Sequence, residues 1–212
     1  MPPSTPPLPP ARPRPHSPAA DVVTDVASGL AAEVAAQVLA APPLLGPVRL
    51  VCVDGPACSG KTTLAARLAA ALGDVPTVHM DDLYEGWDGL PTVAARLSTW
   101  LLEPLRGARP GRYRRYDWPR GEYAEWHEVP VGPALVVEGV GSASRVVEGL
   151  ATSKLWVEAP QDVRRARAAA RDAGAFEPYW DAWARAEQAH FAAEDTRRRA
   201  DLRVDGVSGA YG

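Results

Sequence analysis

The sequence predicts an α/β fold in three layers, with a mainly parallel sheet flanked by helices on both faces. Short apolar, β-branched runs alternate along the chain with longer helical segments, which is the pattern of parallel strands joined by helical crossovers. A glycine-containing loop stands between one such run and the helix after it, and a polar, aromatic stretch at residues 112–130 interrupts the alternation as a hairpin insertion.

The individual elements follow from composition and periodicity. Residues 1–20 are rich in proline and nearly lack bulky apolar side chains, so we expect a disordered tail before a single domain at residues 21–212. Residues 48–54 (VRLVCVD) and Ala134–Glu138 (ALVVE) read as buried strands, and residues 92–106 carry one apolar helix face. Further strands are predicted at 77–80, 154–158 and 201–205, and further helices at 21–41, 60–72, 142–150, 161–173 and 178–199.

Charge and hydropathy exclude several classes of protein. The 212 residues are 46% hydrophobic and 23% charged, with a net charge of −3, so no basic face for a nucleic-acid partner is expected. The chain has no apolar run near the ~20 residues that cross a bilayer, and no signal-peptide core follows the N-terminal prolines. Cys52 and Cys58 match neither a disulfide framework nor a metal motif. We expect a cytoplasmic protein with a small-molecule substrate, no nucleic-acid or membrane partner, and an oligomeric state that is left open.

A phosphate-binding loop is the strongest signal. Residues 55–62 fit the pattern G-x-x-x-x-G-K-T between a predicted strand and a predicted helix. Its glycines let backbone N–H groups converge on one anion, and the helix adds the positive end of its dipole. Lys61 can reach the outer phosphates, and the Thr62 hydroxyl can bind magnesium. The sequence therefore predicts a P-loop NTPase with ATP and Mg²⁺ as cofactors, bound by Gly55, Pro56, Ala57, Cys58, Ser59, Gly60, Lys61, Thr62 and Thr63.

Acidic residues follow two of the predicted strands. Asp81 and Asp82 come directly after residues 77–80, and Glu138 closes its own strand. Ligands of open parallel sheets gather at these strand ends, where a carboxylate can accept the proton of an attacking hydroxyl or bind magnesium through water. An Asp-Asp pair serves equally well in an N-cap or a solvated turn, so spacing alone leaves both roles open.

Five blocks resemble the uridine kinase branch of the P-loop kinases, which also includes phosphoribulokinase and pantothenate kinase. They are GPACSGKTTLA, MDDLY, Tyr116-Asp117-Trp118, LVVEG and DVRRARAAARD. The resemblance implies Asp81 as the catalytic base and Glu138, with Thr62, at the magnesium. It also implies a helical lid in which Arg167 and Arg171 close on the transferring phosphoryl group, although such arginines also fit a solvated helix face.

The resemblance also implies where the acceptor binds. The candidate substrate residues are Tyr84, Asp88, Tyr116, Trp118 and His127. By their residue types alone, the aromatic side chains of the insertion fit either a substrate pocket or a small satellite core. The histidine box of the family is replaced here by Ala-Glu-Trp-His at residues 124–127, and the second arginine of the lid pair is Ala168.

Three functions remain open at this point. The first is transfer of the γ-phosphoryl group of ATP to a hydroxyl of a small molecule, such as a nucleoside. The second is a nucleoside monophosphate kinase, whose acceptor phosphate Arg112, Arg114 and Arg115 would hold. The third is a non-catalytic, nucleotide-switched regulatory module. A GTPase switch is disfavoured, because its N-K-x-D motif needs asparagine and the chain has none.

Overall fold

The computed structural model describes residues 18–212, so residues 1–17 of the predicted tail lie outside the described part of the chain. The helices are α1 (Pro18–Ala40), α2 (Lys61–Ala71), α3 (Leu90–Leu97), α4 (Glu103–Arg106), α5 (Gln161–Asp172), α6 (Trp180–Glu194) and α7 (Thr196–Arg199). The strands are β1 (Arg49–Asp54), β2 (Thr77–His79), β3 (Gly111–Asp117), β4 (Glu122–Val129), β5 (Ala134–Glu138), β6 (Ala151–Glu158) and β7 (Leu202–Asp205).

The central sheet has five strands in the order β2-β5-β1-β6-β7, and every neighbouring pair is parallel. β1 therefore lies in the middle, with β5 on one side and β6 on the other. In this register Val53 stands beside Glu138, and Glu138 stands beside His79. The ends of β1, β5 and β2 consequently meet at one edge of the sheet, as the sequence predicted.

Side chains of β1 alternate between two separate cores. Val51 and Val53 pack with α1 and α2 on one face of the sheet. Leu50 and Cys52 pack on the other face with apolar residues of α3, α4 and α6. Burial on both faces explains why the strand reads as one continuous apolar run, and it confirms the predicted three-layer α/β arrangement.

Strands β3 and β4 form the predicted hairpin outside the main sheet. They pair antiparallel, with Tyr113 opposite His127 and Tyr116 opposite Tyr123. The hairpin packs against the turn after β2 through Trp118, whose indole Nε1 donates to the carbonyl of Asp81 at 3.1 Å. This contact brings the insertion to the edge of the sheet where the strand ends meet.

The helix predicted at residues 142–150 is wrong. Its first residues form turns, and only a short 3₁₀ turn is present at Arg145–Val147. Gly141, directly before this range, and Gly149, within it, have positive φ values of 85° and 71°, which an α-helix does not contain. The carboxylate of Asp54 accepts the backbone N–H groups of Gly141 and Ala143 at 2.9 Å each, and these bonds hold the segment against the sheet in a non-helical conformation.

Other boundaries differ by smaller amounts. The helix predicted at 92–106 begins at Leu90 and passes through one π-helical segment, Ser98–Leu102, between α3 and α4. The last predicted helix is divided by Asp195, whose φ of 53° ends α6 before α7. No helix within residues 18–212 combines the length and the apolar content needed to cross a bilayer.

Candidate active site

The phosphate loop connects β1 to α2 and is shaped by close backbone packing. Gly55 has a φ of 138°, and a Cβ at this position would lie 2.0 Å from the carbonyl oxygen of Val157, so only glycine fits. Gly60 has a φ of 112° at the start of α2. The side chain of Lys61 is buried, and its Nζ donates to the carbonyl of Pro56 at 2.8 Å across the loop.

This loop fits the phosphates of a nucleotide. Among the described residues, no side chain caps the start of α2, and its first turn carries no acidic residue. Its N–H groups and the positive end of the helix dipole are therefore available for an anion. Cys58 has a φ of 61° in the middle of the loop, a left-handed conformation of the kind that turns successive N–H groups toward one point.

Glu138 and Thr62 form the candidate magnesium position. The Thr62 hydroxyl donates to Glu138 Oε1 at 3.1 Å, and His79 Nδ1 lies 2.6 Å from the same oxygen. Burial would raise the pKa of Glu138, but the hydrogen bond from His79 and the charge of Lys61 outweigh it and lower the pKa. No group of three or more His, Cys, Asp or Glu side chains in residues 18–212 forms a metal cage. One carboxylate and one hydroxyl fit Mg²⁺ that takes its other ligands from phosphates and water.

Asp81 and Asp82 lie in the 3₁₀ turn Met80–Asp82 directly after β2. Both carboxylates line the cleft, but their surroundings differ. Burial and the nearby charge of Glu138 raise the pKa of Asp81, while Lys61 and Arg171 act in the opposite direction. The charges that act on the Asp81 carboxylate thus include those of Glu138, Lys61 and Arg171, three residues that also line the cleft.

The carboxylate of Asp82 faces the hairpin instead. Burial raises its pKa, and the opposing charges are those of His79, His127 and Arg115. The Tyr113 hydroxyl donates to Asp82 Oδ2 at 3.4 Å. Asp82 is therefore held by the insertion.

An aromatic cavity of about 360 Å³ opens beside the phosphate loop. Its aromatic lining comes from separate segments of the chain: Tyr84, Trp87, Tyr116, Trp118, Phe176 and Trp183. The Tyr84 hydroxyl donates to the carbonyl of Val140 at 2.6 Å, which fixes this ring in the wall. Trp87 stacks on Tyr179 and Phe176, with ring centroids 4.4 and 5.0 Å apart. The insertion therefore contributes Tyr116 and Trp118 to a cavity rather than to a separate core.

Two predicted substrate residues do not line this cavity. Asp88 lies in the 3₁₀ turn Gly86–Asp88, which directs Trp87 into the cavity and leaves Asp88 exposed. His127 stacks on Tyr113 with ring centroids 5.2 Å apart, and its Nε2 lies 3.1 Å from Glu125 Oε1. His127 is held on the hairpin in this way, outside the lining of the cavity.

A second, loop-side cavity of about 840 Å³ lies on the other side of the acidic residues. The phosphate loop, the first turns of α2 and the segment after β7 line it, including Arg67 and Val207. Six side chains line both cavities: Cys58, Thr62, Asp81, Asp82, Glu138 and Arg171. These side chains therefore stand where the two spaces meet.

The arginines of α5 occupy different positions. Arg171 lines both cavities, whereas Arg167 lines only the loop-side cavity and its guanidinium binds three backbone carbonyls. Arg167 donates to Cys58, Ser59 and Gly206 at 3.3, 3.1 and 2.8 Å. Of the two arginines predicted to close on a phosphoryl group, Arg171 faces the cleft and Arg167 lies mainly against the outer side of the phosphate loop.

Several residues at the site were not predicted from the sequence. Asp54 ends β1 and accepts N–H groups from Gly55, Gly141 and Ala143; burial raises its pKa to about 6 although these bonds oppose the shift. An acid at the end of an apolar run, the signal that identified Glu138, was also present here. Trp87, Phe176, Trp183 and Glu187 carry no local sequence signal, because their neighbours at the site come from distant segments.

No protein-family model and no curated protein matches the chain. Among solved structures, it is similar to a possible uridine kinase from Bacillus stearothermophilus, with a TM-score of 0.59 and 19% identity over 85% of this chain and 98% of that one. It is also similar to a candidate fructose transport system kinase from Silicibacter sp. TM1040, with a TM-score of 0.53 and 20% identity over 82% and 94%. The chain has the fold of a P-loop kinase. At 19–20% identity these similarities establish the fold alone. This is the fold that the sequence motifs predicted.

Proposed function

We propose that this protein is an ATP-dependent kinase that transfers the γ-phosphoryl group of ATP to a hydroxyl of a small molecule, with nucleosides as the first acceptor class to test. One observation carries the proposal: the carboxylates of Asp81 and Asp82 line both the loop-side cavity and the aromatic cavity, and of the two it is Asp81 on which the charges of Lys61 and Arg171 act. A base in this position can contact an acceptor in one space and a phosphate chain in the other. Direct phosphoryl transfer requires that arrangement.

Asp81 serves as the base. It accepts the proton of the acceptor hydroxyl while the hydroxyl oxygen bonds to the γ-phosphorus, and the bond from that phosphorus to the bridging oxygen breaks to release ADP. The surrounding walls of the cleft and the charge of Glu138 raise the pKa of Asp81, which makes this carboxylate a stronger proton acceptor than an isolated aspartate. The raised pKa therefore suits the assigned role.

The phosphates are held by the chain on three sides. The loop N–H groups and Lys61 bind the phosphates, and Arg171 contributes positive charge from α5. Glu138 and Thr62 would hold Mg²⁺, which when bound offsets negative charge on the phosphates. The lowered pKa of Glu138 keeps this side chain in the anionic form that a cation requires.

The nucleoside monophosphate kinase alternative lacks the cationic groups it needs. Arg114 donates to the carbonyls of Ala124 and Tyr123, and Arg112 lies over the ring of Trp126 at 5.4 Å. Arg115 lines the aromatic cavity, but its guanidinium bonds to Glu125 and Asp117. The three arginines are thus used within the hairpin, and an acceptor with a neutral hydroxyl is the better fit.

A mass-spectrometric screen tests the proposal. The protein is incubated with Mg²⁺, ATP and a panel of hydroxyl-bearing metabolites that includes nucleosides and sugars, and products heavier by one phosphoryl group are sought. Lys61→Ala and Asp81→Asn are run in parallel and should give no product. If the parent protein binds Mg·ATP but phosphorylates no member of a broad panel, the non-catalytic regulatory module becomes the better interpretation.

A further inference from the structure

The outer side of the phosphate loop is bound by α5 and α6 through the backbone of one residue, Ala57. Arg164 Nη1 donates to the carbonyl of Ala57 at 3.1 Å and to Glu187 Oε1 at 3.0 Å. The other carboxylate oxygen of Glu187 accepts the backbone N–H of Ala57 at 2.9 Å. Both polar groups of Ala57 are therefore held by an ion pair formed between two helices.

Arg167 extends this contact along the loop. Its Nη1 donates to the carbonyls of Cys58 and Ser59, so three successive carbonyls, at residues 57, 58 and 59, accept hydrogen bonds from arginines of α5. In a trans peptide the carbonyl of one residue and the N–H of the next point in opposite directions, so this arrangement directs the N–H groups of Cys58 and Gly60 away from α5. The N–H of Ser59 instead donates to the carbonyl of Pro56 at 3.3 Å within the loop. A carbonyl bonded to a cation also polarises its peptide group and strengthens the N–H as a donor.

The ion pair between Arg164 and Glu187 is buried, and removing both charges from water has a large free-energy cost. Glu187 is 3% exposed and Arg164 is 9% exposed. A buried pair of this kind contributes little to net stability when compared with apolar side chains of the same size, because the cost of desolvating both charges offsets their attraction. The contact with Ala57 points to a different role, which is to fix the conformation of the loop.

Resting on the proposed function, we propose that Arg164 and Glu187 are positioning residues for phosphate binding. They hold the backbone N–H and carbonyl of Ala57, so that the phosphate loop has its binding conformation before the nucleotide binds. Neither side chain touches the phosphates in this role. Trp183, one helical turn before Glu187 on α6, lines the aromatic cavity, so the same helix supports the loop and one wall of the acceptor space.

Glu187→Gln is the sharpest test, because glutamine has the same size but only one acceptor oxygen. It can serve either the Ala57 N–H or Arg164, and its amide N–H₂ faces the other donor. We expect the Kd for Mg·ATP and for Mg·ADP, measured by calorimetry, to rise about tenfold, in line with loss of a charge-assisted hydrogen bond. Arg164→Met should have a similar effect, and the double variant should cost less than the sum of the two.

Arg165→Met and Glu177→Gln provide the matched controls. These residues form an exposed ion pair that also involves α5 but lies away from the loop, and exposed pairs contribute little. Both control variants should bind Mg·ATP as the parent does.

Hydrogen exchange in the nucleotide-free protein gives a second readout that general destabilisation would not reproduce. In Glu187→Gln, peptides covering residues 55–62 should exchange faster, whereas those covering β5 should be unchanged. Equal affinities and equal loop exchange in parent and variant would overturn this inference alone. Failure of the parent protein to bind Mg·ATP would instead overturn the proposed function, and this inference with it.

Discussion

Lys61 and Lys154 are the only lysines in the chain, and they offer a matched pair of variants. Lys61 lies in the phosphate loop, whereas Lys154 lies on β6 with its Nζ 3.5 Å from Asp201. Lys61→Ala removes a charge-assisted contact to phosphate, so we expect the Kd for Mg·ATP to rise about 10- to 100-fold. Lys154→Ala should bind as the parent does. Unchanged Mg·ATP affinity in Lys61→Ala, measured by calorimetry, would contradict the assignment of the loop.

Asp81 and Asp82 are adjacent, yet their neighbours predict different effects. Asp81→Asn preserves size but cannot accept a proton, so turnover should fall about 10²- to 10⁴-fold while Mg·ATP affinity is retained. Asp82→Asn changes a contact with Tyr113 of the hairpin and should retain most of the turnover. Once an acceptor is found, steady-state rates of both variants decide the matter. An inactive Asp82→Asn beside an active Asp81→Asn would reassign the base.

The pH dependence of turnover follows from the same carboxylate. A base must be ionised to accept a proton, and burial with the charge of Glu138 raises the pKa of Asp81 above its ordinary 3.8. Activity should therefore decline on the acid side at a pH above 3.8, with the protonated and inactive form accumulating as the pH falls. A profile of kcat/KM against pH measures this limb. A flat profile down to pH 4 would argue against Asp81 as the base.

At the scale of elements, the end of β1 organises the segment after β5. Asp54 is fully buried and accepts backbone N–H groups from Gly55, Gly141 and Ala143 at 2.7–2.9 Å. Asp54→Ala leaves these donors without their acceptor, so we expect the free energy of unfolding to fall by about 2–4 kcal/mol. Chemical denaturation measures the loss. Stability within about 0.5 kcal/mol of the parent would mean that other groups replace the carboxylate.

The bonds from Asp54 to the segment after β5 show which elements a local sequence pattern can predict and which it cannot. The bounds of β5 were predicted correctly, because a run of apolar residues buried on both faces is visible in the local sequence. The helix predicted at 142–150 was wrong because its competitor, Asp54, lies 87 residues before Gly141. No local window contains both partners. The phosphate loop is a contiguous motif that can be recognised in the sequence. The Arg164–Glu187 contact instead joins two positions 23 residues apart, and both side chains also bind Ala57 in a third segment.

The aromatic cavity illustrates the same limit for the candidate site. Trp87 follows β2, Trp118 lies at the hairpin, and Trp183 belongs to α6, so the wall exists only once the chain is folded. Resemblance to a family selected Tyr116 and Trp118 through their motif. Asp88 and His127 were predicted from segments where the chain departs from the family's pattern, and the structure places both outside the cavity lining. A position along the chain does not fix the direction of its side chain.

At the scale of the whole molecule, the described part of α1 covers one face of the sheet. Leu30, Val34 and Val38 are buried against α2 and the central strands. Residues 1–17, in contrast, contain proline and small or polar residues with a single leucine, Leu8, and this composition supplies little apolar area to bury. From composition alone, we therefore expect residues 1–17 to add little to the stability that α1 provides.

Truncation tests that division. Removing residues 1–17 should leave the Tm within about 2 °C of the parent and the turnover unchanged. Removing residues 1–38 instead would take away Leu30, Val34 and Val38 and expose the apolar face of α2. Because burial of each such side chain is worth about 1.5–3 kcal/mol, the longer deletion should unfold the domain or lower its Tm by well over 10 °C. Thermal melts of the two truncations, read beside ATP turnover, separate the effects. A large fall in either quantity after the shorter deletion would show that residues 1–17 stabilise the domain.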